Sequence, residues 1–112
     1  MSYDLQFDCG PIVGHGISGG THAVGGTTEP WLNITYNYGS FFRQHWPDKG
    51  IRALYGKTAE QVVAELDRVI RRMKGMPSAD YWEATEGNAR AALVNLRRLA
   101  LLCPPDAVLE GD

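Results

Sequence analysis

Cysteine is scarce in this chain, with only Cys9 and Cys103, set near opposite ends. That scarcity excludes the disulfide framework of small secreted domains, and two thiols with no secretion signal read as free. Long apolar runs are missing as well. The N-terminus, MSYDLQFDCG, has no basic start leading into an apolar stretch, and no window approaches the roughly 20 apolar residues that span a bilayer. A cytoplasmic protein without membrane contact is expected. Charge of one sign is absent too. Eleven Lys and Arg against 13 Asp and Glu leave a formal charge of -2, so nucleic acid is not expected as a partner. Arg68, Arg71, Arg72 and Lys74 cluster, and Asp106, Glu110 and Asp112 make the tail acidic; both groups read as solvated surface. No internal repeat or low-complexity tract occurs.

What is present belongs to a globular protein. With 44% hydrophobic residues over 112 positions, the chain suffices for one domain that hides about two-thirds of its unfolded surface. Residues 1–112 are read as a single α+β domain, with strands and a glycine-rich loop in 1–38 and a helical region in 39–112. YDLQFD alternates Tyr3, Leu5 and Phe7 with polar residues, the period of a half-buried strand. Glycines crowd residues 9–28, with a short strand near His22 to Val24, and WLNITYNY then resumes the alternation. SFFRQHW predicts two turns of helix before Pro47. Thr58 and Gln61 form a capping box for a helix with Val62, Val63, Leu66, Val69, Ile70 and Met73 inward and Gly75 as its stop. A last helix starts at Thr85 or Glu86 and runs to Leu102. The fold expected is a small antiparallel sheet of two to four strands packed against two main helices plus one short helix.

The stretch LNITYN raises the functional question. Extended, it places Leu32, Ile34 and Tyr36 toward the helices and Asn33, Thr35 and Asn37 on the opposite face, toward water, a partner or a ligand. Asparagine is depleted in strands, and its amide suits recognition of a base edge, a sugar or a backbone. The same letters also fit Asn37 capping the next helix and Asn33 bonding to the loop before it. Aromatic residues Trp31, Tyr36, Tyr38, Tyr81 and Trp82 exceed what so small a core needs, and aromatic surface beside amides is typical of interfaces and stacking sites. Lys57 precedes a helix N-terminus, where an anion is held by amides and charge, although a turn and cap explain YGKT equally.

Other chemistries are weaker. GHGISGGTHAVGG lacks the ending of a P-loop and the context of a dinucleotide site. Cys9, His15 and His22 match no metal spacing, so neither metal nor cofactor is expected. Glu83 and Glu86 have the arrangement of paired carboxylates, but a helix dipole accounts for them without chemistry.

LNITYN, then GIRALYGKT opening a helix, then YWEATEGNARAAL and a closing PPDAVLEGD, together resemble a set of small, uncharacterised bacteriophage and prophage proteins. In that set an Asn-Ile-Thr-His/Tyr-Asn block precedes two helices and a Pro-Asp tail. The resemblance covers about residues 20–112 and places Tyr36 where many of those proteins carry His. It implies a setting, the cytoplasm of an infected or lysogenic bacterium, and no mechanism. Three hypotheses follow. The first is a non-enzymatic phage accessory protein, oligomeric or not, binding a host protein or a small nucleotide-like ligand through Asn33, Thr35, Tyr36, Asn37, Tyr38, Lys57 and Trp82, in counter-defence. The second is a self-associating assembly protein. The third is a small hydrolase using Glu83, Glu86 or the histidines.

Overall fold

The period-two pattern at the start of the chain makes a strand, β1 (Ser2–Phe7), that buries Tyr3, Leu5 and Phe7 and leaves Asp4 and Gln6 in solvent. A computed structural model describes residues 1–10, 12, 23–24, 30–80 and 82–112. Within these, β2 (Ala23–Val24), β3 (Trp31–Thr35) and β4 (Leu109–Gly111) join β1 in a four-stranded sheet of order β2-β3-β1-β4, and every pairing is antiparallel. The fold is α+β. Among the described residues three α-helices follow β3: α1 (Gly39–His45), α2 (Ala59–Arg72) and α3 (Glu86–Leu102). Leu5, Phe7, Leu32 and Ile34 from the inner sheet face join Val62, Leu66 and Val69 of α2 and Leu93, Leu96 and Leu99 of α3 in one continuous core.

The helix signals act as their chemistry requires. Thr58 accepts from the Gln61 N–H while the Gln61 side chain accepts from the Thr58 N–H, so two first-turn donors are satisfied at once. The α2 stripe buries Val62, Leu66, Val69 and Met73, with Val63 and Ile70 half-buried beside it. Two polar links hold α3 to α2: Arg97 Nε meets Asp67 Oδ1 at 2.6 Å, and Arg90 Nε donates to the Ile70 carbonyl at 3.2 Å.

Two expectations need correction. The strand read as continuing through Tyr38 stops at Thr35, where the Thr35 hydroxyl accepts the Asn37 N–H and bends the chain into a 3-10 turn, Tyr36–Tyr38. A threonine side chain offers the backbone this alternative to the sheet ladder. The turn runs directly into α1 at Gly39, where any Cβ would come within 2.9 Å of the Tyr3 hydroxyl. The C-terminal tail, read only as acidic surface, contributes β4, with Leu109 opposite Phe7 and Glu110 opposite Gln6.

Candidate binding face

Register decides which side chains share the outer face of the sheet. Ser2 lies opposite Thr35, Asp4 opposite Asn33 and Gln6 opposite Trp31, while β4 places Glu110 on the other flank of Gln6. Helices cover the inner face, so this row of alternate residues faces away from the core. Asp4, Gln6 and Glu110 are exposed; Ser2, Trp31 and Asn33 are half-buried.

Asn33 is fixed by its neighbours on β1. Its Nδ2 donates to Ser2 Oγ at 2.5 Å and to Asp4 Oδ1 at 2.6 Å, which uses both amide protons. The amide therefore presents only its carbonyl oxygen, which has no partner among the described residues. Directly opposite it stands the Asp4 carboxylate, and across β1, opposite Gln6, that of Glu110; neither belongs to an ion pair among the described residues. This face is rich in acceptors and negative charge. It complements a surface that brings N–H donors and positive charge, and it opposes a phosphate-bearing ligand.

The remaining residues singled out from sequence divide among other places. Thr35 is buried and spent on its turn. Tyr38 is fully buried against Phe42, so it is a core residue and not part of an exposed aromatic surface. Tyr36 is half-buried, edge-on to Tyr3 with ring centroids 4.6 Å apart. Arg52, which sequence reading passed over, lies above both rings, 4.9 Å from Tyr3 and 5.5 Å from Tyr36. Its Nη2 donates to the Tyr36 hydroxyl at 3.2 Å and its Nε to the Asp112 carbonyl at 2.8 Å. Burial, opposed by Arg52 and assisted by Asp112, Tyr3 and Tyr36, pushes the adjacent Tyr55 phenol up to about 12.

Asn37 is exposed and donates from Nδ2 to the Trp82 carbonyl at 2.8 Å, holding Trp82, itself 60% exposed, beside the 3-10 turn. Lys57 lies apart. Its carbonyl accepts from Leu109 of β4, so it lies across β1 from Asn33. Structure thus brings Asn33 together with Asp4 and Ser2, and Asn37 together with Trp82; Glu110 and Lys57 both lie across β1 from Asn33, Glu110 in the register of the outer row. The chain matches no protein-family model, and neither a curated protein nor a solved structure is significantly similar to it.

The position of Trp82 depends on Asn88, a residue sequence reading did not single out. Fully buried in the first turn of α3, Asn88 accepts the Ser78 N–H and donates to Ser78 Oγ, the Asp80 carbonyl and the Glu83 carbonyl, all within 3.0 Å. An asparagine three residues past the capping Thr85 was its only signal. Of the histidines considered for catalysis, His15 and His22 lie outside the described residues, as does Tyr81 of the expected aromatic surface. Glu83 is exposed, and Glu86 sits in the first turn of α3, where its charge acts on His45 of α1. Burial lowers the His45 pKa below 6.5 against the pull of Glu86, with Arg72 and Arg68 of α2 adding to the lowering. A shallow apolar cavity of about 240 Å³ lies between the start of α2 and the end of α3, lined by Ala59, Val63, Ala100, Leu101, Cys103 and Pro105 with Glu60 at its side.

Proposed function

We propose that this chain is a non-enzymatic binding module, a small phage accessory protein whose outer sheet face holds a basic surface of a host protein, in counter-defence. The observation that carries the reading is the acceptor-rich row Asp4, Asn33 and Glu110, which is not covered by a helix and not neutralised by any cation among the described residues. Of the two ligand classes considered from sequence, a protein partner fits this charge, and a nucleotide-like ligand meets repulsion there. Asn37 and Trp82 extend the contact beyond the end of β3, since an exposed indole beside an amide is a common anchor of protein interfaces.

The test is affinity capture from the bacterial host, comparing the natural chain with Asp4→Lys/Glu110→Lys. The expected result is a specific host protein retained at low salt, released as ionic strength rises and lost on charge reversal. A partner retained equally by both chains removes the acidic face from the reading. Thermal-shift titration with nucleotides addresses the other class. Stabilisation that grows with the logarithm of nucleotide concentration and vanishes in Asn33→Ala/Asn37→Ala would favour the small ligand instead.

A further inference from the structure

Cys9 and Cys103 enter the fold from opposite ends of the chain, yet the fold brings their segments together. Cys9 follows directly on β1, where the Asp8 N–H donates to the Val108 carbonyl at 2.9 Å and Asp8 Oδ1 accepts the Val108 N–H at 2.6 Å. Cys103 ends α3, its N–H bonded to the Ala100 carbonyl, and the Ala107 to Pro104 turn brings the chain back toward β1. Two independent segments thus converge where Asp8 pairs with Val108, and Cys9 is near enough to act on the Cys103 thiol. Both are free thiols; Cys9 is half-buried and Cys103 is 8% exposed.

We propose that Cys9 and Cys103 form a reversible dithiol/disulfide site, oxidised by a hydroperoxide, that fastens the end of β1 to the end of α3. The two sulfurs have distinct roles. Burial, together with the charge and hydrogen bond of Cys9, pushes the Cys103 thiol up to about 12, so Cys103 holds its proton and donates it toward its neighbour. Cys9 is the more accessible sulfur and attacks the terminal oxygen of the hydroperoxide. The O–O bond breaks, an alcohol or water leaves, and Cys9 becomes a sulfenic acid. The sulfur of Cys103 then attacks that of Cys9, the S–O bond breaks, and hydroxide leaves as water with the Cys103 proton. In sum, two thiols and one hydroperoxide give a disulfide, an alcohol (or water) and a water, with two electrons passing from sulfur to oxygen. Oxidation turns the Cys9 sulfur into an electrophile beside the Cys103 thiol, and this favours the second step.

The experiment exposes the reduced full chain at low micromolar concentration to hydrogen peroxide and follows intact mass and non-reducing peptide maps. Expected are the loss of two hydrogens, one cross-link joining the Cys9 and Cys103 peptides, reversal by dithiothreitol, and a rate independent of protein concentration. The oxidised chain should melt several degrees higher, because a cross-link closing so long a loop restricts the unfolded state. In Cys103→Ser, dimedone should trap a sulfenic acid at Cys9. Oxygen gained at single cysteines without a cross-link, disulfide-linked dimers, or two thiols still unmodified after prolonged exposure would each overturn the proposal. Faster trapping at Cys103 in Cys9→Ser than at Cys9 in Cys103→Ser would overturn the assigned order of attack.

Discussion

At the scale of single residues, polar side chains do much of the organising here. Asn88 is the clearest instance, since one fully buried amide satisfies three backbone groups and one hydroxyl of the segment that leads into α3. Asn88→Ala removes all four bonds and leaves the Ser78 N–H without its acceptor, while the Asp80 and Glu83 carbonyls keep the N–H groups of Glu83 and Thr85. Given about 1 kcal/mol for each net bond and the added cost of unsatisfied groups, a loss of about 2–4 kcal/mol is expected in chemical denaturation. Because Trp82 sits in the segment that Asn88 holds, its fluorescence in the folded variant should also shift toward that of a fully solvated indole. An unchanged Trp82 spectrum would show that its position does not depend on Asn88. Asn33 behaves differently. Its donors close on half-buried Ser2 and exposed Asp4, so Asn33→Ala is expected to cost no more than about 1 kcal/mol.

At the scale of elements, local signals and distant pairings divide what was legible. The capping box at Thr58, the α2 stripe and the alternation in β1 are each written within one or two turns of chain, and the structure follows them. The end of β3 was misplaced because alternation continues to Tyr38 in the letters while a single hydroxyl bond at Thr35 turns the backbone. β4 went unread because three residues cannot display a period; they become a strand only through pairing with Leu5, Gln6 and Phe7 at the other end of the chain. The acidic row was half legible. Asp4 and Gln6 alternate visibly, but their meeting with Asn33 and Glu110 depends on register, which sequence does not contain. Gly87 gives a test of long-range packing at this scale. Glycine to alanine inside a helix ordinarily stabilises by about 1 kcal/mol. Here a Cβ would lie 2.1 Å from the Met76 carbonyl oxygen, so the backbone of the connector must move. Gly87→Ala is therefore expected to destabilise, by about 1–3 kcal/mol in urea unfolding; a stabilised variant would show that the connector yields freely.

At the scale of the whole molecule, the shifted groups lie on both sides of neutrality and define a window of maximal stability. His45 is held below 6.5 by burial, with Arg72 and Arg68 acting in the same direction and Glu86 against it. Folding thus favours its neutral form. As pH falls below 6.5 the unfolded chain takes up that proton before the folded chain does, so stability declines until the folded pKa is passed. Glu65, bonded by Arg68 and the Trp46 indole N–H, is held below 4.5, and its contribution is lost as pH falls from 4.5 through its folded value. On the alkaline side Tyr55 and Cys103 are both pushed up to about 12, from 10 and 9. There the unfolded chain releases protons that the folded chain retains, so stability falls as pH rises above 9 toward about 12. The expected curve of unfolding free energy against pH is a plateau between about 6.5 and 9 with a decline on each side. His45→Gln should flatten the decline just below 6.5 while leaving the one below 4.5, and Tyr55→Phe should reduce the alkaline slope above 10. Urea titrations at pH steps across this range measure both slopes. A decline below 6.5 that persists unchanged in His45→Gln would assign it to another group.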